Sequence, residues 1–421
     1  MADTVTDWPT FVSEYWRRRP AILRIPQATA LTRSDYVFDV LLAAADAYRD
    51  GRLQDPNDIR LLLDEGTVNP GYAAEYYPDH DDTDLADYIR RVSAASRTGF
   101  SLVVNSVQQY SFELWCRARD FLSRLYADAG ALPGGVSDCH IIAGRYQEAP
   151  TRVHKDTADV FTCVLTGEKQ MWVWPYDAFA CSQDARFTQV NLDVDYRLST
   201  GRGDCLHGGP GDILYWPATY WHCAESDGRP HATLHLASYR DGNPLRTAHH
   251  LLAAATTRAL AGHWVTDRPY PTGTEPIEPI DSEQAFGELR AILDSAELRD
   301  QWHAKWLKRL SSGNFEVVPP LAARADLGPD DPVRAEPAHP ILINTRPGGD
   351  RTHIAANGHV FTLPVAPSLH GVLAHLNSGR TITARQLKAA QSDQRIGLEP
   401  LCALLGLLLR ARALVRTDTG D

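Results

Sequence analysis

The chain has 421 residues, 43% of them hydrophobic and 23% charged, with a formal net charge of −11; that length accommodates two or three domains with separate cores, and the acidic balance argues against nucleic acid held by bulk electrostatics. The longest apolar run, LCALLGLLL, is about half of what a bilayer span needs, and MADTVTDWPTFVSEYW lacks the basic start and apolar stretch of a secretory signal. Seven scattered cysteines without a CxxC pair argue against a disulfide framework or a zinc site, so the expectation is a cytoplasmic protein with reduced thiols and no membrane partner.

In chain order, the first forty residues hold two amphipathic helical patterns separated by a short extended piece, RPAILRIP. From Ser111, SFELWCRARDFLSRLYADA repeats apolar residues at helical spacing, with Trp115, Leu122 and Leu125 on one face. The texture then changes. CHIIAGRY, DVFTCVLTG, KQMWVWP, GDILYWP and HATLHLASYR are short, β-branched and aromatic, and bounded by Gly, Pro or Asp. Strands so closely spaced predict an antiparallel double-sheet barrel and not a doubly wound sheet. Beyond Asn243, RTAHHLLAAATTRALAGHW and SEQAFGELRAILDSAELRDQWHAKWLKRL read as two helices, the second capped by Ser282 with Glu283 behind it.

Pro319 to Pro340, rich in Pro, Ala and Asp, reads as a linker. After it, ILINTR and HVFTLP read as strands, SLHGVLAHLN, TARQLKAA and LEPLCALLGLLLRAR as helices, and ALVRT as a closing strand. That order predicts a winged-helix module over 341–421. The module carries nine Lys and Arg against five Asp and Glu, so the rest of the chain holds all of the acidic excess. Its longest helix is apolar on nearly every face until Arg410, which suits a core and not a DNA groove. The basic residues Arg385, Lys388, Arg395, Arg410, Arg412 and Arg416 form either a surface for an acidic peptide or a merely solvated face.

The chemistry concentrates in TRVHKDTADVFTCVLTGEKQMWVWP, from Thr151 to Pro175. Alternate residues of a strand share a face, so His154 and Asp156 point together into the barrel while Lys155 points away. One imidazole and one carboxylate suit divalent iron, and a third ligand has to come from another strand. The best candidate is His222 in PGDILYWPATYWHCAES, delivered by a turn to the start of the next strand. Two histidines and a carboxylate on one face leave three coordination positions open.

Together these motifs resemble the JmjC-type 2-oxoglutarate oxygenases, above all the bacterial ribosomal oxygenases and the asparaginyl hydroxylase of hypoxia signalling. The resemblance covers roughly the first 245 residues. DWPTFVSEYWRRRPAILR is similar to the family's opening, HKDTADVFTCVLTGEKQMWVWP to its first metal strand, and PGDILYWPATYWHCAES to its second. It implies that His154, Asp156 and His222 hold Fe(II), that 2-oxoglutarate and O2 are co-reactants, and that Lys169 pairs with the distal carboxylate of 2-oxoglutarate. Thr151 matches a threonine contacting the same carboxylate in the asparaginyl hydroxylase. His235, on the strand where relatives carry a pocket asparagine, is a further candidate contact. Trp172, Trp174, Trp216 and Trp221 line the pocket or the core.

The implied fold class is α+β: a double-stranded β-helix (a jelly-roll, cupin-like JmjC barrel) with amino-terminal helices over 1–245. A helical dimerisation-like segment follows at 246–318, then the linker at 319–340 and the winged helix at 341–421. The implied activity is hydroxylation of a side chain of a protein or ribosomally made peptide, with 2-oxoglutarate converted to succinate in a homodimer. Leader-peptide recognition domains resemble compact winged helices of this kind. The alternatives at this point are a non-catalytic peptide-binding barrel, an oxygenase of small molecules and an N-methyl demethylase.

Overall fold

A computed structural model describes residues 2–417 except 54, 65, 148–151, 180–188, 241–243, 261–282, 325, 346–349 and 392–395. Strand β1 (Thr4–Val5) leads into α1 (Trp8–Thr10), whose cap is the Asp7 carboxylate accepting from the Thr10 N–H at 2.8 Å. Pro9 sits in its first turn, where its missing N–H costs nothing. The helix runs on as a wider π turn, Phe11–Tyr15, before β2 (Ala21–Leu23), which lies parallel to β1. The second helix expected in the first forty residues is displaced: Pro26–Thr32 is a 3₁₀ turn and α2 starts later (Val37–Arg49).

The next stretch carries no expected element, yet it holds β3 (Ile59–Leu63), β4 (Gly66–Thr67), α3 (Pro70–Ala73), α4 (Leu85–Ala95) and β5 (Phe100–Val104). Helix α5 (Phe112–Ala129) is capped by Ser111 and stopped by left-handed Gly130. The barrel strands follow: β6 (Ser137–Arg145), β7 (Val153–Lys155), β8 (Ala158–Thr166), β9 (Lys169–Trp174), β10 (Val190–Leu192), β11 (Asp204–Gly208), β12 (Ile213–Trp216), β13 (Trp221–Glu225) and β14 (His231–Tyr239).

They form two sheets, in the orders β1-β2-β12-β8-β14-β6-β5-β3-β4 and β10-β7-β13-β9-β11. All pairings but β1–β2 are antiparallel. Along β8 the residues alternate. Phe161, Cys163 and Leu165 join Trp8, Phe11 and Phe121 in the large core beneath α5, whereas Val160 and Val164 join Met171, Leu206 and Trp216 between the sheets. The outer core is aromatic; Phe11 meets Tyr215 edge-on at 4.9 Å between ring centres.

Helix α6 (Pro244–Leu260) is followed by α7 (Glu283–Asp294) and α8 (Ala296–Ser311). The single long helix expected from the sequence is broken at Ser295, whose hydroxyl accepts from the Leu298 N–H and caps α8. Ser282, expected to cap α7, lies outside the described residues. At the end of α8 the buried Arg309 guanidinium donates to the carbonyls of Pro133, Gly134 and Gly135 at 2.6–2.9 Å, locking α8 to the entry of β6.

The segment expected as a linker, 319–340, contains β15 (Val333–Ala335). The carboxy-terminal unit continues with β16 (Leu342–Thr345), β17 (Arg351–Ala356), β18 (His359–Pro364), α9 (Ser368–Asn377), α10 (Ala384–Ala389), α11 (Leu398–Arg410) and β19 (Leu414–Arg416). β15 pairs with β19, and four of the six basic residues expected to face a peptide are engaged by the segment itself. Arg385 binds Asp330, Arg410 donates to Ala322 O, Arg412 to Pro320 O and Arg416 to Asp326 O. Arg395 lies outside the described residues. The positive balance of this unit therefore holds its own chain in place. Arg119 of α5 reaches Asn357 at 2.8 Å and docks the unit onto the barrel. No described helix is long and apolar enough to cross a membrane.

Candidate metal centre

His154 stands in the middle of β7, directly opposite His222 of β13 in the antiparallel register. Their rings lie 4.1 Å apart, centre to centre. Asp156 is one residue past the end of β7, not on the strand as its spacing predicts, yet its Oδ2 comes within 3.3 Å of His222 Nε2. One ligand atom from each of the three lies within 4.8 Å of the others. The chain bends sharply just before the site: Arg152 adopts a left-handed φ of 53°, and its carbonyl accepts a hydrogen bond from His154 Nδ1 at 3.0 Å. That bond leaves His154 Nε2 with its lone pair for a metal, the orientation that carbonyl partners impose on ligating imidazoles.

The protonation states agree. Burial, then the neighbouring His222, push the His154 imidazole down to about 4. Burial alone would raise the Asp156 carboxyl, but the hydrogen bond and charge of His222, with His154, hold it well below the ordinary carboxylate range. A neutral imidazole and an ionised carboxylate are what coordination requires.

Directly after β8 ends at Thr166, the chain crosses between sheets at Gly167, whose φ is +72°. The crossing starts β9 at Lys169, which is 1% exposed. Its ammonium donates to the Tyr146 hydroxyl at 2.6 Å, and among the described residues no carboxylate pairs with it. A buried ammonium lacking a counter-ion calls for an anion in the cavity. That cavity, about 390 Å³, is lined by the three ligands, Lys169, Tyr146 and His235.

His235 is fixed at both ring nitrogens, by Thr162 Oγ1 at 2.9 Å and Thr233 Oγ1 at 3.0 Å. Burial and then the Lys169 charge keep it neutral. It borders the cavity as a positioned polar wall. Thr151 lies outside the described residues. Of the four tryptophans, Trp216 alone borders the cavity, packed on His222 at 4.9 Å; Trp174 and Trp221 are buried elsewhere, their indole N–H groups bonded to the Ser199 and Tyr176 carbonyls. Cys163 and Cys223 are small buried core residues, and His207 is an exposed residue of β11 beside Glu168.

Residues 136–241 match the family model for the JmjC domain. This stretch resembles a JmjC domain. No curated protein matches the sequence. Among solved structures, Escherichia coli YcfD aligns over 98% of this chain and 99% of its own, at 19% identity and a TM-score of 0.51. Two further structures of YcfD, described as a ribosomal oxygenase and holding cobalt with succinic acid or with 2-oxoglutarate, align over 99% of this chain and 100% of theirs, at 17% identity and a TM-score of 0.48. At such identity the likeness to YcfD speaks for the fold. The donor set of this site fits Fe(II), and the uncompensated ammonium fits the dicarboxylate 2-oxoglutarate.

Two residues of the site had no sequence signal. Tyr146 follows a strand end with no fixed spacing to Lys169. Asp159, fully buried, accepts from the Ala218 N–H at 3.1 Å and binds Arg17 at 3.2 Å and Arg240 at 3.5 Å. It thereby anchors the turn before His222. The arginine of the opening RRRP run was visible, but its partner was not.

Proposed function

We propose that this chain is an Fe(II)- and 2-oxoglutarate-dependent oxygenase that hydroxylates a side chain of a protein or peptide. The observation that carries the reading is the shared cavity: a two-histidine, one-carboxylate cluster at one place and, at another, a buried ammonium with no counter-ion among the described residues. A merely peptide-binding barrel has no use for either.

His154, Asp156 and His222 would hold the metal, and Lys169 with Tyr146 would receive the distal carboxylate of 2-oxoglutarate. The chemistry supplied by such a centre couples decarboxylation of 2-oxoglutarate to succinate with insertion of one oxygen atom of O2 into a C–H bond. The protein's part is to hold the imidazoles in the ligating tautomer, through Arg152 O at His154, and to wall off water with Trp216 and Met171. Escherichia coli YcfD, whose fold this chain shares, is called a ribosomal oxygenase, and a macromolecular substrate suits a cavity open on one flank.

The helices α7 and α8 leave Phe286, Leu293, Trp306 and Leu310 between 45% and 52% exposed, a surface that suits pairing of two subunits. The order of helices and strands from β16 to β19 supports a winged-helix reading of 341–421.

The deciding experiment measures succinate release with Fe(II), 2-oxoglutarate and candidate peptides. Wild-type protein should release succinate and add one oxygen to the peptide by mass; His154→Ala and Asp156→Ala should do neither. Loss of a methylene from a methylated peptide would replace hydroxylation by demethylation.

A further inference from the structure

The nine-stranded sheet is wider than the five-stranded sheet facing it. β6, β5 and β3 carry the barrel's inner face past the metal ligands as a ledge. His140, Ile142, Ser101, Val103, Leu62 and Arg60 line the same cavity as the ligands, from this side. His140 Nδ1 lies 2.9 Å from Asn105 Oδ1, so the ledge has a polar seam as well as an apolar floor.

Arg60 stands out on it. The other formal charges on the cavity wall have tasks already, Asp156 as a ligand and Lys169 with Tyr146. Among the described residues Arg60 donates no hydrogen bond and joins no ion pair, although it acts on the Asp58 carboxyl through space. Its side chain is exposed at the cavity mouth.

The register fixes its distance from β14, which lines the cavity beside the metal cluster. Thr233 of β14 pairs with Ile142, Ile142 with Val103, and Val103 with Arg60. Three strand spacings of about 4.8 Å put Arg60 roughly 14 Å from the strand that carries His235. The arginine side chain spans about 6 Å of that, so an extended peptide at about 3.3 Å per residue covers the remainder in about two to four residues.

We propose that Arg60 is a specificity-determining residue, selecting peptide segments that carry a carboxylate within a few residues of the oxidised side chain. This rests on the oxygenase reading and names its substrate class: an acidic peptide segment. Guanidinium and carboxylate match as a bidentate pair. The chain's net charge of −11 repels such a segment at long range, so discrimination comes from the contact and not from steering.

The test uses the full-length protein with Mn(II) and 2-oxoglutarate, without oxygen, presented with immobilised random decapeptides whose bound fraction is sequenced. Wild type should enrich Asp or Glu over Asn or Gln by about tenfold, the scale of one charge-assisted contact. Arg60→Gln should lose that preference, Arg60→Lys keep part of it, and Arg60→Glu favour Lys and Arg instead. No enrichment by wild type, or the same acidic preference in Arg60→Glu, overturns the proposal. Calorimetry of Mn(II) and 2-oxoglutarate on the same samples separates the two readings. Normal binding of both without acidic preference removes the Arg60 assignment alone. A wild type that binds neither removes the oxygenase reading and this proposal with it.

Discussion

His154 and Lys169 illustrate opposite kinds of buried polarity. The imidazole is half-buried with its Nδ1 partner in place, which leaves its other nitrogen for a metal. The ammonium is buried against a neutral hydroxyl with no counter-charge among the described residues, so an anion from outside suits it. Lys169→Ala should therefore raise the KM for 2-oxoglutarate at least about tenfold, and Tyr146→Phe should raise it only a few-fold, both leaving metal affinity unchanged in a titration with Mn(II). His231 supplies a pH signature. Burial, then Lys169, hold its imidazole down at about 3, against an ordinary 6.5. The unfolded chain takes up a proton that the folded one refuses, so stability is present above about pH 6.5 and declines as the pH falls toward 3. His231→Gln should flatten the fall of Tm between pH 6.5 and 4 relative to wild type. At this scale the His154–Asp156 part of the candidate cluster was legible because strand alternation ties the two, even though Asp156 sits just off the strand. Tyr146 was not, since a lone tyrosine after a strand carries no periodic signal.

Among the elements, the corner at Gly167 matters most to the site. A Cβ there would sit 2.7 Å from the Pro230 carbonyl, and its φ of +72° is unsuited to other residues. Gly167→Ala should destabilise the fold by about 1–3 kcal/mol, read as a lower urea midpoint, and should weaken 2-oxoglutarate binding because Lys169 begins two residues later. The strands β6, β8 and β14 were legible as β-branched and aromatic runs bounded by Gly, Pro or Asp, and β12 as a short apolar run bounded by turns. β3 and β5 were not, being short and dependent on neighbours for their pairing, although they build the ledge beside the metal. The break between α7 and α8 escaped notice because DSAE continues a helical pattern until Ser295 turns its hydroxyl back onto the chain.

Across the whole molecule, buried polar contacts and shared core tie the barrel, α8 and the carboxy-terminal unit together. Arg309 reads three successive carbonyls ahead of β6, and Arg119 meets Asn357, which in turn binds the Ala411 and Arg412 carbonyls. The segment 319–340 reads as a linker, yet it holds β15 and lies against arginines, because Pro- and Asp-rich sequence suits a strap as well as a tether. If α7 and α8 pair two subunits, Phe286→Asp with Leu293→Asp should reduce the solution mass by half in light scattering and leave succinate release intact. Asp159 has a further consequence. One carboxylate gathers Arg17 from the beginning of the domain, the Ala218 amide beside His222, and Arg240 at its end. A ribosome delivers those three in order, so the last ligand is steadied only when the final strand has emerged. An iron ion held by His154, Asp156 and His222 would thus be gripped by the finished domain and not by a half-made one.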